Sequence, residues 1–198
     1  MGIEFELKFR AKPEILDAIQ RDIPGQVAEF EMRTTYYDTR ERTLKKVKYT
    51  LRRRMENGVS VCTLKTPADE IGRREYELQV NTIEEALEKL CKLPELPELP
   101  GLVAGGVRPV CGAKFHRKAI TVSFEGCVLE LALDQGVLTG GGIDLPFCEV
   151  EVELKEGSRE AAILYAQVLA ARYGLVPERQ SKFKRATLLA EGAFCDGI

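Results

Sequence analysis

The chain has 198 residues, with 29 Lys+Arg against 31 Asp+Glu and a formal net charge of −2. Apolar content of 44% and charged content of 30% exclude a disordered chain, and the near-balance of charge removes any bulk attraction to nucleic acid. No apolar run approaches the roughly 18–20 residues that span a bilayer, and the acidic start Met1-Gly2-Ile3-Glu4-Phe5-Glu6 is no export signal, so one cytoplasmic domain over residues 1–198 is expected, with no membrane or nucleic-acid partner.

Residues 2–10 alternate apolar and charged side chains and read as a strand. A helix follows from Pro13 through Ile19, because apolar residues recur at helical spacing and proline suits a first turn. Residues 28–37, 47–56, 59–66 and 73–80 are further strands, and Asn57-Gly58 joins two of them as a two-residue hairpin. Thr82 with Glu85 has capping-box spacing and opens a helix that carries Ala86, Leu87 and Leu90. Leu93 to Gly106, with Pro94, Pro97 and Pro100, reads as a loop between the two halves of the chain. Three more strands are expected at residues 115–124, 127–135 and 146–155, with a turn at Ser123–Cys127 and a loop at Gly140-Gly141-Gly142. Ser158 caps a helix that stops near Gly174, and a short final helix follows Ser181.

Cys62, Cys91, Cys111, Cys127, Cys148 and Cys195 form no C-x-x-C pair, and His116 cannot complete a zinc site with them at any usual spacing. They are expected to be reduced thiols, mostly buried.

The strands carry the functional signal. In Ile3-Glu4-Phe5-Glu6-Leu7-Lys8-Phe9-Arg10 one face is apolar and the other is Glu, Glu, Lys, Arg. A half-solvated antiparallel strand looks the same, so one copy means little. The pattern recurs, however, in Glu149-Val150-Glu151-Val152-Glu153-Leu154-Lys155, in Arg73-Arg74-Glu75-Tyr76-Glu77-Leu78 and in Glu130-Leu131-Ala132-Leu133-Asp134. Arg52 and Arg54 share a strand face, and Lys65 follows Thr63-Leu64. Glutamate is a poor strand former, and like charges along a strand repel. If the sheet closes into a barrel, these faces line a lumen and the helices cover its apolar outside. Breaking one buried charge pair costs about 3–5 kcal/mol against a total stability of roughly 5–15 kcal/mol. The lumen charges must therefore be wet, paired with each other, or neutralised by bound ions. A polyphosphate with divalent cations satisfies both signs: Arg and Lys hold phosphate oxygens, and carboxylates hold Mg²⁺ or Mn²⁺.

Glu4-x-Glu6-x-Lys8 resembles the signature of the CYTH domain, the triphosphate tunnel metalloenzyme superfamily. Further landmarks follow in order: Tyr36-Tyr37-Asp38-Thr39, Leu51-Arg52-Arg53-Arg54, Thr63-Leu64-Lys65, Arg73-x-Glu75-x-Glu77, Arg117, Glu130-x-x-x-Asp134, Glu149-Val150-Glu151 and Ser181-Lys182. They span essentially the whole chain. The stretch from Glu130 to Leu154 is most similar to bacterial inorganic triphosphatases in which this domain precedes a helical CHAD domain; no CHAD domain is expected within these residues.

The resemblance implies an α+β fold, a closed antiparallel eight-stranded β-barrel with a charged lumen and helices packed outside. It implies Glu4, Glu6, Glu75, Glu77, Glu130, Asp134, Glu149, Glu151 and Glu153 as metal ligands for Mg²⁺ or Mn²⁺. Lys8, Arg52, Arg54, Lys65, Arg73, Arg117 and Lys182 would grip a small-molecule triphosphate, with Glu4, Glu6, Lys8, Lys65 and Asp134 closest to the chemistry. Arg53 and Arg74 fall on the opposite strand face, and Arg10, Lys155, Lys184 and Arg185 read as solvated. The expected reaction is hydrolysis of inorganic tripolyphosphate to diphosphate and phosphate. Thiamine triphosphatase and class IV adenylyl cyclase are alternatives within the family, and a non-catalytic polyphosphate- or nucleotide-binding module is the alternative outside it.

Overall fold

Strand alternation organises the molecule. The structure, a computed structural model, describes residues 5–67 and 73–193. Glu4 and Cys195 lie outside the described residues. The strands are β1 (Glu6–Arg10), β2 (Val27–Asp38), β3 (Thr50–Glu56), β4 (Val59–Pro67), β5 (Arg73–Gln79), β6 (Arg108–Phe124), β7 (Cys127–Gly140), β8 (Ile143–Glu156) and β9 (Val176–Pro177). They form one nine-stranded antiparallel sheet in the order β5-β4-β3-β2-β6-β7-β8-β1-β9.

The expected closed eight-stranded barrel does not form. β5 and β9 end the hydrogen-bonded order, and the ladder between them is open among the described residues. The edge is short. The central strands β6, β7 and β8 run for 17, 14 and 14 residues, whereas β9 has only 2. β9 ends on Pro177, which has no N–H, so that edge has almost no ladder to offer another strand.

Three hairpins share one turn chemistry. Asn57-Gly58, Glu125-Gly126 and Gly141-Gly142 each place two successive residues at positive φ, at 47° and 87°, 48° and 75°, and 60° and 80°. This is what a type I′ turn requires. Gly141-Gly142 is thus the tip of a long hairpin instead of part of a separate loop. β6 begins at Arg108, earlier than expected, and carries Pro109 and Gly112 within it.

Helices α1 (Pro13–Asp22) and α5 (Arg159–Tyr173) bury Leu16, Ile19, Ala162, Ala166 and Leu169 against Phe9, Leu129, Leu131, Val150 and Val152. On the other half of the sheet, α2 (Thr43–Lys46), α3 (Ile83–Leu90) and α4 (Leu99–Val103) cover Leu51, Leu64 and Tyr76. α4 lies within the stretch expected to be a loop. α2 displaces the start of β3 to Thr50, because the buried Asp38 carboxylate accepts from the backbone N–H groups of Thr39, Leu44 and Lys45 and nucleates a helical turn. Thr82, Ser158 and Ser181 cap as expected, each accepting from the N–H three residues on.

The last helix breaks the expected plan. α6 (Lys182–Ala190) packs Ala186 and Leu189 with Met32, Tyr36, Phe115, Leu138 and Phe147, on the opposite sheet face from the other helices. A Cβ on Gly140 would lie 2.5 Å from the Ala186 carbonyl oxygen and 2.8 Å from the Ala190 nitrogen, so α6 rests on the bare backbone of β7. No helix among the described residues is long and apolar enough to cross a membrane.

Candidate functional site

Register gathers the charges. On β7, β8 and β1 it sets Glu130, Glu153 and Glu6 in one cross-strand row. Ala132, Glu151 and Lys8 form the next row, and Asp134, Glu149 and Arg10 the third. On the same face the other strands carry Arg117, Thr34, Arg52, Arg54, Thr63, Lys65, Glu75, Glu77 and Arg73. α6 lies over this face and brings Lys182 to it. A two-residue period therefore delivers all the described site candidates from the strands to one side of the sheet.

They do not form a single cluster. Asp134, Glu149 and Glu151 are the buried group, the first two at 0% exposure, and an oxygen from each lies within 4.8 Å of the others. The Lys182 ammonium stands among them, 2.8 Å from Asp134 Oδ2 and 2.7 Å from Glu151 Oε1, and also pairs with Glu149. Arg117 binds Asp134 through two bonds of 2.7 Å and reaches Glu151 at 2.6 Å. Arg185 pairs with Glu149. Three carboxylates thus face three cations in a buried pocket. The Phe115 and Phe147 rings, each with its centroid 5.3 Å from the Lys182 ammonium, wall it.

Burial opposes ionisation of Glu151, but Lys182 and Arg117 outweigh it and hold the carboxyl well below the usual range. Burial likewise opposes the charge on Lys182 and on Arg117, and the neighbouring carboxylates raise both above their ordinary values. Burial and then Arg10 bring the Arg185 guanidinium down to about 10.

The other candidates sit apart, in half-buried to exposed contacts. Glu6 holds Lys8 at 3.0 Å. Lys155 bridges Glu153 at 2.8 Å and Glu130 at 3.6 Å. Lys65 pairs with Glu75, Arg54 holds Glu56 at 3.0 Å, and Arg73 donates to the Thr50 hydroxyl and the Lys48 carbonyl. Glu77 is exposed. Arg53 lies on the far face, donating to Ser60.

Arg185 is the residue that sequence reasoning misassigned. It is 9% exposed, not solvated. Its spacing of three from Lys182 puts both on one helix side, and that was the available signal. Glu178, which approaches both Arg10 at 3.5 Å and Arg185 at 3.9 Å, had no such signal in its loop.

Two features of this face bear on a ligand. Among the described residues the buried Nε of Arg54 and the buried hydroxyls of Thr34 and Thr63 have no hydrogen-bond partner; Arg54 stands opposite Thr34 in the register, and Thr63 on the next strand stands opposite Arg52. Buried donors of this kind fit an anion. The clustered carboxylate oxygens fit a hard cation such as Mg²⁺ or Mn²⁺.

A profile of the CYTH domain matches residues 2–187. The inorganic triphosphatase of Haemophilus influenzae is 29% identical over 203 aligned positions, covering 96% of this chain; this chain spans 56% of that protein's length. Among solved structures, a Hippeastrum protein studied as a candidate adenylyl cyclase, with a dominant triphosphatase activity, superposes with a TM-score of 0.64 at 18% identity over 99% of this chain and 98% of its own. The PH1819 protein of Pyrococcus horikoshii gives a TM-score of 0.62 at 23% identity, covering 96% of this chain and 99% of its own.

Proposed function

The chain belongs to the CYTH domain family, and from that membership we propose that it is a metal-dependent triphosphatase that hydrolyses inorganic tripolyphosphate to diphosphate and phosphate. The observation that carries this reading is the pairing of a buried carboxylate cluster, Asp134–Glu149–Glu151, with donors of Arg54, Thr34 and Thr63 that are unsatisfied among the described residues, on the same sheet face. A ligand that is at once strongly anionic and metal-bound offers acceptors to those donors and a hard cation to carboxylates that otherwise pair with Lys182, Arg117 and Arg185.

Arg52, Arg54 and Lys65 hold phosphate oxygens from β3 and β4, Arg by its fork and Lys as a point charge. Lys182 from α6 and Arg117 from β6 carry the charge that builds on the transferred phosphoryl group and on the diphosphate that leaves. Asp134, Glu149 and Glu151 offer the oxygen ligands for Mg²⁺ or Mn²⁺, which when bound supplies polarisation of the phosphoryl oxygens. Glu6, Glu130 and Glu153 are only half-buried, so water reaches their row. Attack of that water on the terminal phosphorus forms one P–O bond as the bond to diphosphate breaks, and a carboxylate of the row takes the proton.

The test is incubation with tripolyphosphate, ATP and thiamine triphosphate in turn, each with Mg²⁺ or Mn²⁺, measuring released phosphate and cyclic AMP. Tripolyphosphate is expected to be cleaved fastest and EDTA to stop it. Cyclic AMP from ATP with little phosphate from tripolyphosphate overturns the assignment, as does saturable binding without turnover under both metals.

A further inference from the structure

On the side of the sheet away from the carboxylates lies a groove of about 680 Å³, lined entirely by β2, β3, β6, β7, β8 and the turn between the last two. That volume falls in the range of sites for small organic ligands. Its cations Arg33, Arg53 and Lys114 alternate along their strands with the charges of the carboxylate side, and Thr34, Cys111 and Ala113 border it from positions of that other parity.

Arg33 on β2 stands directly opposite Lys114 on β6. Both are exposed, and among the described residues neither has a carboxylate partner. Like charges facing each other across a ladder destabilise it, so this pair is an expense to the fold unless an anion lies between them. Arg53 lies diagonally from Arg33, roughly 7–8 Å away by sheet geometry. Its guanidinium is fixed, donating to the Ser60 hydroxyl at 2.9 Å and to the Met55 sulfur at 3.4 Å.

The floor beside these cations is bare. Gly112 sits between Thr35 and Thr139 in the register. A Cβ there would come within 2.7 Å of the Thr34 carbonyl oxygen and 2.9 Å of the Thr139 hydroxyl. The rims are apolar, with Met55 on one side and Ile143, 51% exposed, on the other. Asp144 closes the far end of the Thr35–Gly112–Thr139 row, which disfavours an extended polyanion such as a nucleic-acid strand.

We propose that this groove is a second binding site, for a small organic phosphate whose phosphate group bridges Arg33 and Lys114 and whose body lies over Gly112 between Met55 and Ile143. Charge selects phosphate over carboxylate. A phosphate monoester carries about −1.5 to −2 near neutral pH and neutralises both opposed cations, whereas one carboxylate leaves a cation unmatched.

The test is a ¹⁵N-resolved NMR titration of the whole chain with AMP, which has no phosphoanhydride bond to hydrolyse, and separately with inorganic phosphate. Saturable shifts are expected at the amides of Thr35, Gly112, Lys114 and Thr139. The double variant Arg33→Gln/Lys114→Gln is expected to weaken AMP binding there at least tenfold, while tripolyphosphate hydrolysis stays within twofold and the melting temperature holds or rises. AMP shifts confined to the opposite face, at Glu149 and Arg54, overturn the site, and so does unchanged affinity in the double variant. Inorganic phosphate binding as tightly as AMP overturns the role of Met55 and Ile143.

Discussion

Replacing Lys182 with methionine keeps an unbranched side chain only one atom shorter and removes one charge from a balanced set. Asp134, Glu149 and Glu151 oppose Lys182, Arg117 and Arg185, so the variant leaves one buried negative charge unmatched. Removing one partner of a buried ion pair costs about 3–5 kcal/mol. For a chain of this size each kcal/mol moves the melting point by roughly 2–4 °C, so a fall of about 6–20 °C is expected. The sign of the pH dependence follows from the same charges. In the wild type Glu151 is held below its ordinary value, so its stabilising contribution is complete above the unfolded carboxylate value of about 4.3 and is lost only as pH falls through the folded value. In Lys182→Met the burial effect is less opposed, a cluster carboxyl takes up a proton more readily, and part of the lost stability returns between pH 8 and pH 5.5. Mg²⁺ should restore stability at pH 8 by standing in for the ammonium, and EDTA should abolish that gain. Urea unfolding followed by circular dichroism, at both pH values with and without Mg²⁺, reads all three effects. A variant within about 1 kcal/mol of wild type at pH 8, with no recovery on acidification, refutes the charge balance described above.

The remaining predictions concern other parts of the molecule. Arg54→Ala should lower tripolyphosphate turnover by about 10²-fold, with a melting temperature close to wild type; a rate within threefold removes Arg54 from the substrate contacts. Asp38→Ala deletes the acceptor for three backbone N–H groups and should cost about 2–3 kcal/mol in chemical denaturation, with hydrogen exchange in α2 accelerated most; equal exchange across the fold speaks against the local cap. Gly136→Ala would place a Cβ 2.1 Å from the Lys114 carbonyl oxygen and 2.5 Å from the Phe115 Cα. It should cost at least about 1–3 kcal/mol by overpacking, and a neutral effect in thermal melting rules out the close approach of β6 and β7 there.

Local rules carried far in this chain, and long-range ones did not. Strand parity in Glu6–Arg10, Glu149–Lys155 and Arg52–Arg54 assigned each charge to its face, and the register then brought those faces to one side. Asn57-Gly58, Thr82 with Glu85, Ser158 and Ser181 act as their short-range chemistry requires. Closure of the sheet was not legible, because it depends on how edge strands of unequal length meet, and nothing near Pro177 in sequence marks β9 as a two-residue edge. Arg108 to Ala113 gave no strand signal because Pro109 and Gly112 interrupt it, although β2 and β7 supply its ladder partners. α4 was hidden by the run of prolines, of which Pro100 serves as a first-turn residue there. For α6 the apolar positions were readable, but the sheet side they would choose was not. A stripe of Phe183, Ala186, Leu189 and Ala190 suits either side, and only the hydrophobic patch of Met32, Tyr36, Phe115 and Phe147 among the charges decides it.

The absent side chain at Gly140 reaches further than its own turn. It lets the helix carrying Lys182 and Arg185 settle directly on the backbone of β7 at its C-terminal half, so the height of the helix there is set by a contact with no side chain between. Any larger residue would act as a shim, lifting the helix and withdrawing both cations from the acids beneath them without touching either. A displacement of about 1 Å at a reacting group can cost 10²-fold in rate, so a lesion at this remote hairpin would masquerade as a defect in the chemistry.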